Sequence, residues 1–301
     1  MIIKKLNINL ALLILLIAFC NSAYSQEDSL KAAIEKIISG SKCSVGAAIK
    51  ELESGKTYLF NNDANYPMQS VFKFPLAMAV LARVDKGEIS LDKIIKVTKQ
   101  DLLPNTWSPL REKYPDGGEL KLSEIISYTV SQSDNNGCDI LFRLIGGPLE
   151  AEKYIHGLGI TDISIKNTEE EMHKDGTLQF LNSCKPSAMA ELLGVLSSGT
   201  ALKKETNDFL LKIMTETTTG PKRIKGLLPE GTIVAHKTGS SGKSDDGITA
   251  ACNDAGIVTL PDGRHIAIVV FVSMSKESDE FNDSIIARIS KLAIDYFLSL
   301  K

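Results

Sequence analysis

Ser70 and Lys73, three residues apart in Ser70-Val71-Phe72-Lys73, are the residues whose types and spacing could make an activated nucleophile. At the start of a helix, positions i and i+3 share a face. A lysine buried beside a serine favours its neutral amine, which can accept the hydroxyl proton. The spacing alone proves little, because Ser-x-x-Lys occurs five times, at Ser39, Ser70, Ser90, Ser240 and Ser273. Ser70 is set apart by the apolar helical run behind it, Phe74-Pro75-Leu76-Ala77-Met78-Ala79-Val80-Leu81. Taken in isolation it would still read as an ordinary helix N-cap serine.

Two further short motifs follow in order, Ser133-Asp134-Asn135 and Lys237-Thr238-Gly239, each present once. Ser-Asp-Asn alone suits a helix cap. Three glutamates lie between the two motifs, in Thr168-Glu169-Glu170-Glu171-Met172-His173. Alone they read as a solvated face, but a carboxylate there could activate water against an acylated serine. Each feature is weak and the ordered set is specific. For the members to meet, a helical lobe must fold back and a late strand must come alongside.

The elements that must position them follow from periodicity. Residues 29–38 read as a helix, and Val45–Ile49 and Tyr58–Phe60 as strands around the turn Glu53-Ser54-Gly55-Lys56. From Ser70 to about Thr219 the pattern is helical, with apolar periodicity over 72–84, 122–130, 140–145 and 188–196. Beyond Gly220 come three strands, near 232–235, 255–258 and 266–272, the last two joined through Asp262-Gly263, a hairpin signal. An amphipathic helix over about 280–298 closes the chain. The expected fold is therefore α+β: an antiparallel sheet of about five strands, flanked by the N- and C-terminal helices, with an all-helical lobe inserted between its second and third strands. The division expected is an α/β lobe of residues 26–62 and 221–301, a helical lobe of 63–220, and an active site between them.

Lys4 and Lys5, the apolar run Leu10 to Cys20 and Ala23-Tyr24-Ser25 have the layout of a signal peptide covering 1–25, cleaved after Ser25. The run is short for a permanent anchor, which takes about 20 apolar residues. Cys20 raises a lipid anchor, but the bulky Phe19 before it argues against one. The expectation is an exported, periplasmic protein. The remaining 276 residues carry 32 basic and 37 acidic side chains, a balance unsuited to nucleic acid. Cys43, Cys138, Cys184 and Cys252 have no CxxC spacing, and their pairing stays open. His156, His173, His236 and His265 show neither HxH nor HExxH spacing, so no metal site is expected.

The ordered set Ser-x-x-Lys, SDN and KTG resembles class A β-lactamases. Pro104-Asn105-Thr106-Trp107, Ser133 to Asp139, Thr217-Thr218-Thr219-Gly220 and Val234-Ala235-His236-Lys237-Thr238-Gly239 extend the resemblance to the extended-spectrum, cephalosporinase-like branch, over essentially the whole mature chain. It implies hydrolysis of penicillins and cephalosporins through a Ser70 acyl-enzyme. Lys73 and Ser133 would move protons, the backbone N–H groups of Ser70 and Ser240 would form the oxyanion hole, and Glu169 would activate the deacylating water. Asn135 would bind the substrate's side-chain amide, with Trp107 and His173 beside the substrate. Lys237, Thr238, Gly239 and Ser240 would take its carboxylate, with Arg223 as a second cation. The bland alternative for Arg223 is a solvated basic turn with Lys222 and Lys225. The resemblance implies no cofactor, no nucleic acid and no partner beyond the small-molecule β-lactam; a monomer is the default.

Three features, at four positions, depart from the family pattern. His173 falls where asparagine usually helps hold the deacylating water, Asn167 and Asn182 replace an arginine–aspartate ion pair that closes the loop, and Asp139 replaces an asparagine beneath it. Together they suggest a loop folded widely enough for bulky cephalosporin side chains. The rivals are a D-alanyl-D-alanine carboxypeptidase and a β-lactam sensor. Both would stay acylated; the Glu169 loop argues against the first, and the second would be expected to hang from a membrane segment, which the sequence after Ser25 does not offer.

Overall fold

Strands from the two ends of the chain meet in one sheet. The computed structural model describes residues 29–300, so the expected signal peptide, with Ser25 and Cys20, lies outside the described residues. Residues 29–38 form helix α1, followed by strands β1 (Ser44–Glu51), β2 (Thr57–Phe60) and the two-residue β3 (Tyr66–Pro67). Helix α2 (Lys73–Asp85) then leads through β4 (Ile94–Thr98), α3 (Pro109–Lys113), β5 (Gly117–Lys121), α4 (Leu122–Ser131), α5 (Asn135–Ile145) and α6 (Pro148–Gly157). Next come β6 (Ile163–Ser164), α7 (Glu169–Lys174), β7 (Ser183–Cys184), α8 (Pro186–Ser198) and α9 (Lys204–Thr215). The chain ends with β8 (Val234–Ser240), β9 (Thr249–Thr259), β10 (His265–Ser275) and α10 (Asp279–Ser299).

The main sheet has the order β2-β1-β10-β9-β8, with every neighbouring pair antiparallel, which is the expected α+β class. Side-chain alternation explains how β10 can be apolar almost throughout. Ile266, Ile268, Val270 and Val272 face α1 and α10, while Ala267, Val269 and Phe271 face the core shared with the central helices. Both faces are covered, so both faces are apolar.

Helix α2 runs through the middle of the helical core and is buried all round from Lys73 to Ala82. That explains an apolar run without a polar stripe. The lobe expected to be all-helical also carries two small β ribbons, β4 with β5, and β3 with β7 and β6. Alternation did not mark the first one. Its strands bury only Val97 and Leu120 and lie on either side of α3, and their pairing depends on Gly117, at φ +84°, where a Cβ would meet Val97 O at 2.2 Å. All four described cysteines are free thiols. No helix among the described residues is long and apolar enough to cross a membrane.

Candidate active site

Of the five Ser-x-x-Lys matches, only that of Ser70 has a buried lysine; Lys42, Lys93, Lys243 and Lys276 are exposed. Gln69–Phe72 form a turn of 3-10 helix that continues into α2, which stacks Ser70 above Lys73. Lys73 Nζ donates to Ser70 Oγ at 2.9 Å, to the Ser133 carbonyl at 2.9 Å and to Asn135 Oδ1, and lies 2.8 Å from Glu169 Oε1. Four oxygen acceptors around one nitrogen compensate its full burial, whereas sequence reasoning had expected burial alone to act on it. Ser70 Oγ is itself 3.5 Å from Glu169 Oε1. A hydroxyl, a lysine and a carboxylate in mutual reach are the parts needed to make a serine nucleophilic.

Ser133 does not cap α5. Asp134 does, fully buried, accepting from the backbone N–H groups of Gly137 and Leu110 at 2.7 Å each and from Ser108 Oγ. Burial raises the Asp134 carboxyl above the usual range, opposed by these donors. With the cap supplied by its neighbour, Ser133 adopts φ +60° and turns its hydroxyl to the cleft, where it accepts from Lys237 Nζ at 2.9 Å. Lys237 is completely buried; desolvation first, and then the nearby Lys73, hold its ammonium well below the ordinary lysine value. Asn135 is fastened by Nδ2 to Thr106 Oγ1 at 2.7 Å.

Strand β8 brings Lys237, Thr238, Gly239 and Ser240 alongside the Ser70 segment. The sequence placed this strand near 232–235; it runs instead over Val234–Ser240, because the polar KTG residues carry no apolar alternation yet are buried against the Ser70 segment. Gly239 permits this approach: a Cβ there would lie 2.4 Å from Met68 O and 3.2 Å from Ser70 N. The Ser241 N–H pairs with Ala251 O, so strand alternation turns the Ser240 N–H to the open edge beside Ser70. The cleft, about 240 Å³, is lined by residues including Ser70, Ser133, Asn135, Thr238 and Ser240, and Trp107 rims it, 58% exposed, with Nε1 donating to Gln132 O at 2.8 Å. Thr219 lines it too. The Thr217-Thr218-Thr219-Gly220 motif was the sequence signal for this residue, but no site role was drawn from it.

Arg223 is buried behind β8 rather than solvated in a basic turn. Its Nε donates to Asp283 at 2.7 Å, and its terminal nitrogens donate to Gly239 O, Asn253 O and, at 2.7 Å, Ser240 Oγ. The acidic partner, Asp283 on α10, was invisible in the motif. Arg223 therefore meets the cleft through Ser240.

The three glutamates separate into distinct positions. Glu171 closes a capping box with Thr168, Glu170 pairs with Lys174 at 2.7 Å, and Glu169 turns inward to Lys73. His173 is not brought to the cleft. Burial of Met172 orients the short α7, which leaves the His173 side chain exposed and outside the residues lining the cleft. The Asn167–Asn182 closure is real but asymmetric. The buried Asn182 side chain accepts from the Lys166 and Asn167 N–H groups at 2.8 and 2.9 Å and donates to Asn167 O, while the Asn167 side chain donates to Leu178 O at 3.2 Å. Asp139 accepts from the Glu169 and Glu170 N–H groups at 2.8 and 2.9 Å. No cluster of metal-ligating side chains occurs among the described residues.

Residues 29–297 match the Beta-lactamase enzyme family. The chain belongs to that family. It is a class A β-lactamase, a hydrolase of β-lactams of the kind that confers antibiotic resistance. It is 48% identical over 292 residues to β-lactamase VEB-1 of Pseudomonas aeruginosa, covering 96% of this chain and 97% of that one. The structure of the TLA-3 extended-spectrum β-lactamase superposes with a TM-score of 0.89 at 54% identity, over 90% of this chain and 99% of its own. A β-lactamase from Chitinophaga pinensis gives a TM-score of 0.87 at 55% identity, over 89% of this chain and 98% of its own. The extended-spectrum branch read from the motifs is the one named for TLA-3.

Proposed function

We propose that this β-lactamase works through a Ser70 acyl-enzyme hydrolysed by a Glu169-activated water, in the cleft between an α/β lobe (26–62 and 221–301) and a helical lobe (63–220). Ser70 Oγ bonds to the lactam carbonyl carbon as its proton passes to the Lys73–Glu169 pair. The oxyanion forms against the N–H groups of Ser70 and Ser240. The C–N bond breaks, and the nitrogen takes a proton through Ser133, which Lys237 holds in place. Water then gives a proton to Glu169 and its hydroxide to the ester carbon, and Ser70 Oγ leaves with a proton. Lys237, Thr238 and Ser240 take the substrate carboxylate, with Arg223 positioning the Ser240 hydroxyl, and Asn135 takes the side-chain amide.

One observation carries this reading: Ser70 Oγ, the Ser133 carbonyl and the Glu169 carboxylate converge on Lys73 Nζ. An oxyimino-cephalosporin is the proposed substrate class. A hollow of about 420 Å³, walled by Gly176–Phe180 and the turn between β8 and β9, supports room for its bulky side chain. The proposal also takes the enzyme to be a periplasmic monomer, freed from a signal peptide at 1–25.

The test is turnover of a chromogenic cephalosporin by wild type and Glu169→Ala. The variant is expected to acylate and then stall, losing about 10²- to 10⁴-fold in deacylation, with one acyl adduct per protein by mass spectrometry. Turnover at the wild-type rate would overturn the assignment of Glu169.

A further inference from the structure

Asp139 belongs to α5, the helix beneath the Glu169 loop, and 4% of its surface is exposed. Its two carboxylate oxygens are each used once, by the backbone N–H groups of the consecutive residues Glu169 and Glu170. No other hydrogen bond ties these two N–H groups, which open α7 and have no partner within it. The direction in which Glu169 leaves the backbone is thus set by one buried side chain on another helix. An ionised carboxylate suits two facing donors, while a protonated one offers a hydroxyl, itself a donor, to one of them.

The groups facing Asp139 are Lys73 from α2, Glu169 and Glu170 from α7, and the Cys138 thiol on its own helix. Burial and, after it, the Glu169 charge push its carboxyl up to about 7, against the two backbone N–H groups and Lys73. The proton equilibrium therefore lies near neutral pH.

We propose that Asp139 is the positioning residue for deacylation: its ionised carboxylate holds the backbone of Glu169 and Glu170, and protonation frees one of those N–H groups, displacing Glu169 from Ser70. The inference rests on Glu169 as the water-activating base. Acid conditions thereby slow deacylation through a group that touches neither the substrate nor the reacting atoms. Asparagine at this position offers one acceptor and one donor at every pH, so Asp139→Asn mimics the protonated form.

The experiment measures deacylation of a preformed cephalosporin acyl-enzyme from about pH 5 to 9 in wild type, Asp139→Asn and Glu169→Gln. Wild type is expected to slow as the pH falls below about 7 and to level off near the rate of Asp139→Asn, as the Asp139 carboxylate is protonated. Asp139→Asn is expected to deacylate at least about tenfold more slowly at alkaline pH and to lack that limb. An acid limb shared by wild type and Asp139→Asn would overturn the inference. Wild-type deacylation in Glu169→Gln would overturn instead the reading of Glu169. Should Asp139→Asn not fold, carbon-13 NMR of the aspartate carboxyls in wild type decides: one carboxyl titrating near pH 7 is expected, and all titrating in the ordinary acid range would refute it.

Discussion

The wall of the cleft that carries Ser70, Lys73 and Lys237 is made of regular elements sunk in the core, whereas the wall that carries Glu169 is a loop fastened by two buried side chains. On the first side, α2 and β8 are held by helix and sheet hydrogen bonds and by close packing. On the second, Asn182 and Asp139 hold four backbone N–H groups across long stretches of chain. On the proposed mechanism, the acylating parts are thus fixed by the fold as a whole, and the deacylating carboxylate by a few replaceable contacts. One half-reaction should be brittle and the other tunable.

Three substitutions sharpen that contrast, taken from the largest effect to the smallest. Gly239→Ala puts a Cβ 2.4 Å from Met68 O, a backbone atom that cannot yield alone, so β8 must move from Ser70. Acylation should fall about 10²-fold, the scale of a displacement of an ångström in an active site, read from the single-turnover burst. Asn182→Ala leaves the buried Asn167 N–H and the half-buried Lys166 N–H without their partner, so the loop loosens while α2 stays put. Deacylation should slow about tenfold with acylation changed less than about twofold; equal losses in both steps would break the contrast. Trp107→Ala removes an exposed rim residue and should raise KM by a few-fold, about 1 kcal/mol or less, with kcat unchanged. A collapse of kcat there would move Trp107 into the reaction itself.

Much of the first wall was legible in the sequence, and much of the second was not. Ser70 and Lys73 announce themselves through the apolar run behind them, and β1, β9 and β10 through β-branched residues and a hairpin turn. Those signals are local. The partners of Asn182 and Asp139 are backbone groups elsewhere in the chain, and no residue type encodes such a bond in advance. The same reason hid the Arg223–Asp283 pair, which joins a turn to the last helix. The run of three glutamates shows the limit from the other side. Identical residues received separate positions only when Thr168 capped α7 and Lys174 and Lys73 arrived beside it.

The sheet that carries the cleft is stitched from both ends of the chain, and this has a consequence for the order of assembly. Ser44 pairs with Ser273, and β8 reaches Ser70 only after the whole helical segment has been made. Such long-range pairing closes late, because the entropy of the intervening loop is lost before any contact rewards it. A growing chain therefore holds Ser70, the proposed nucleophile, long before the cleft around it is complete. Truncation anywhere before β10 should leave the helical segment beside an unfinished sheet, with exposed strand edges that invite aggregation in place of partial activity.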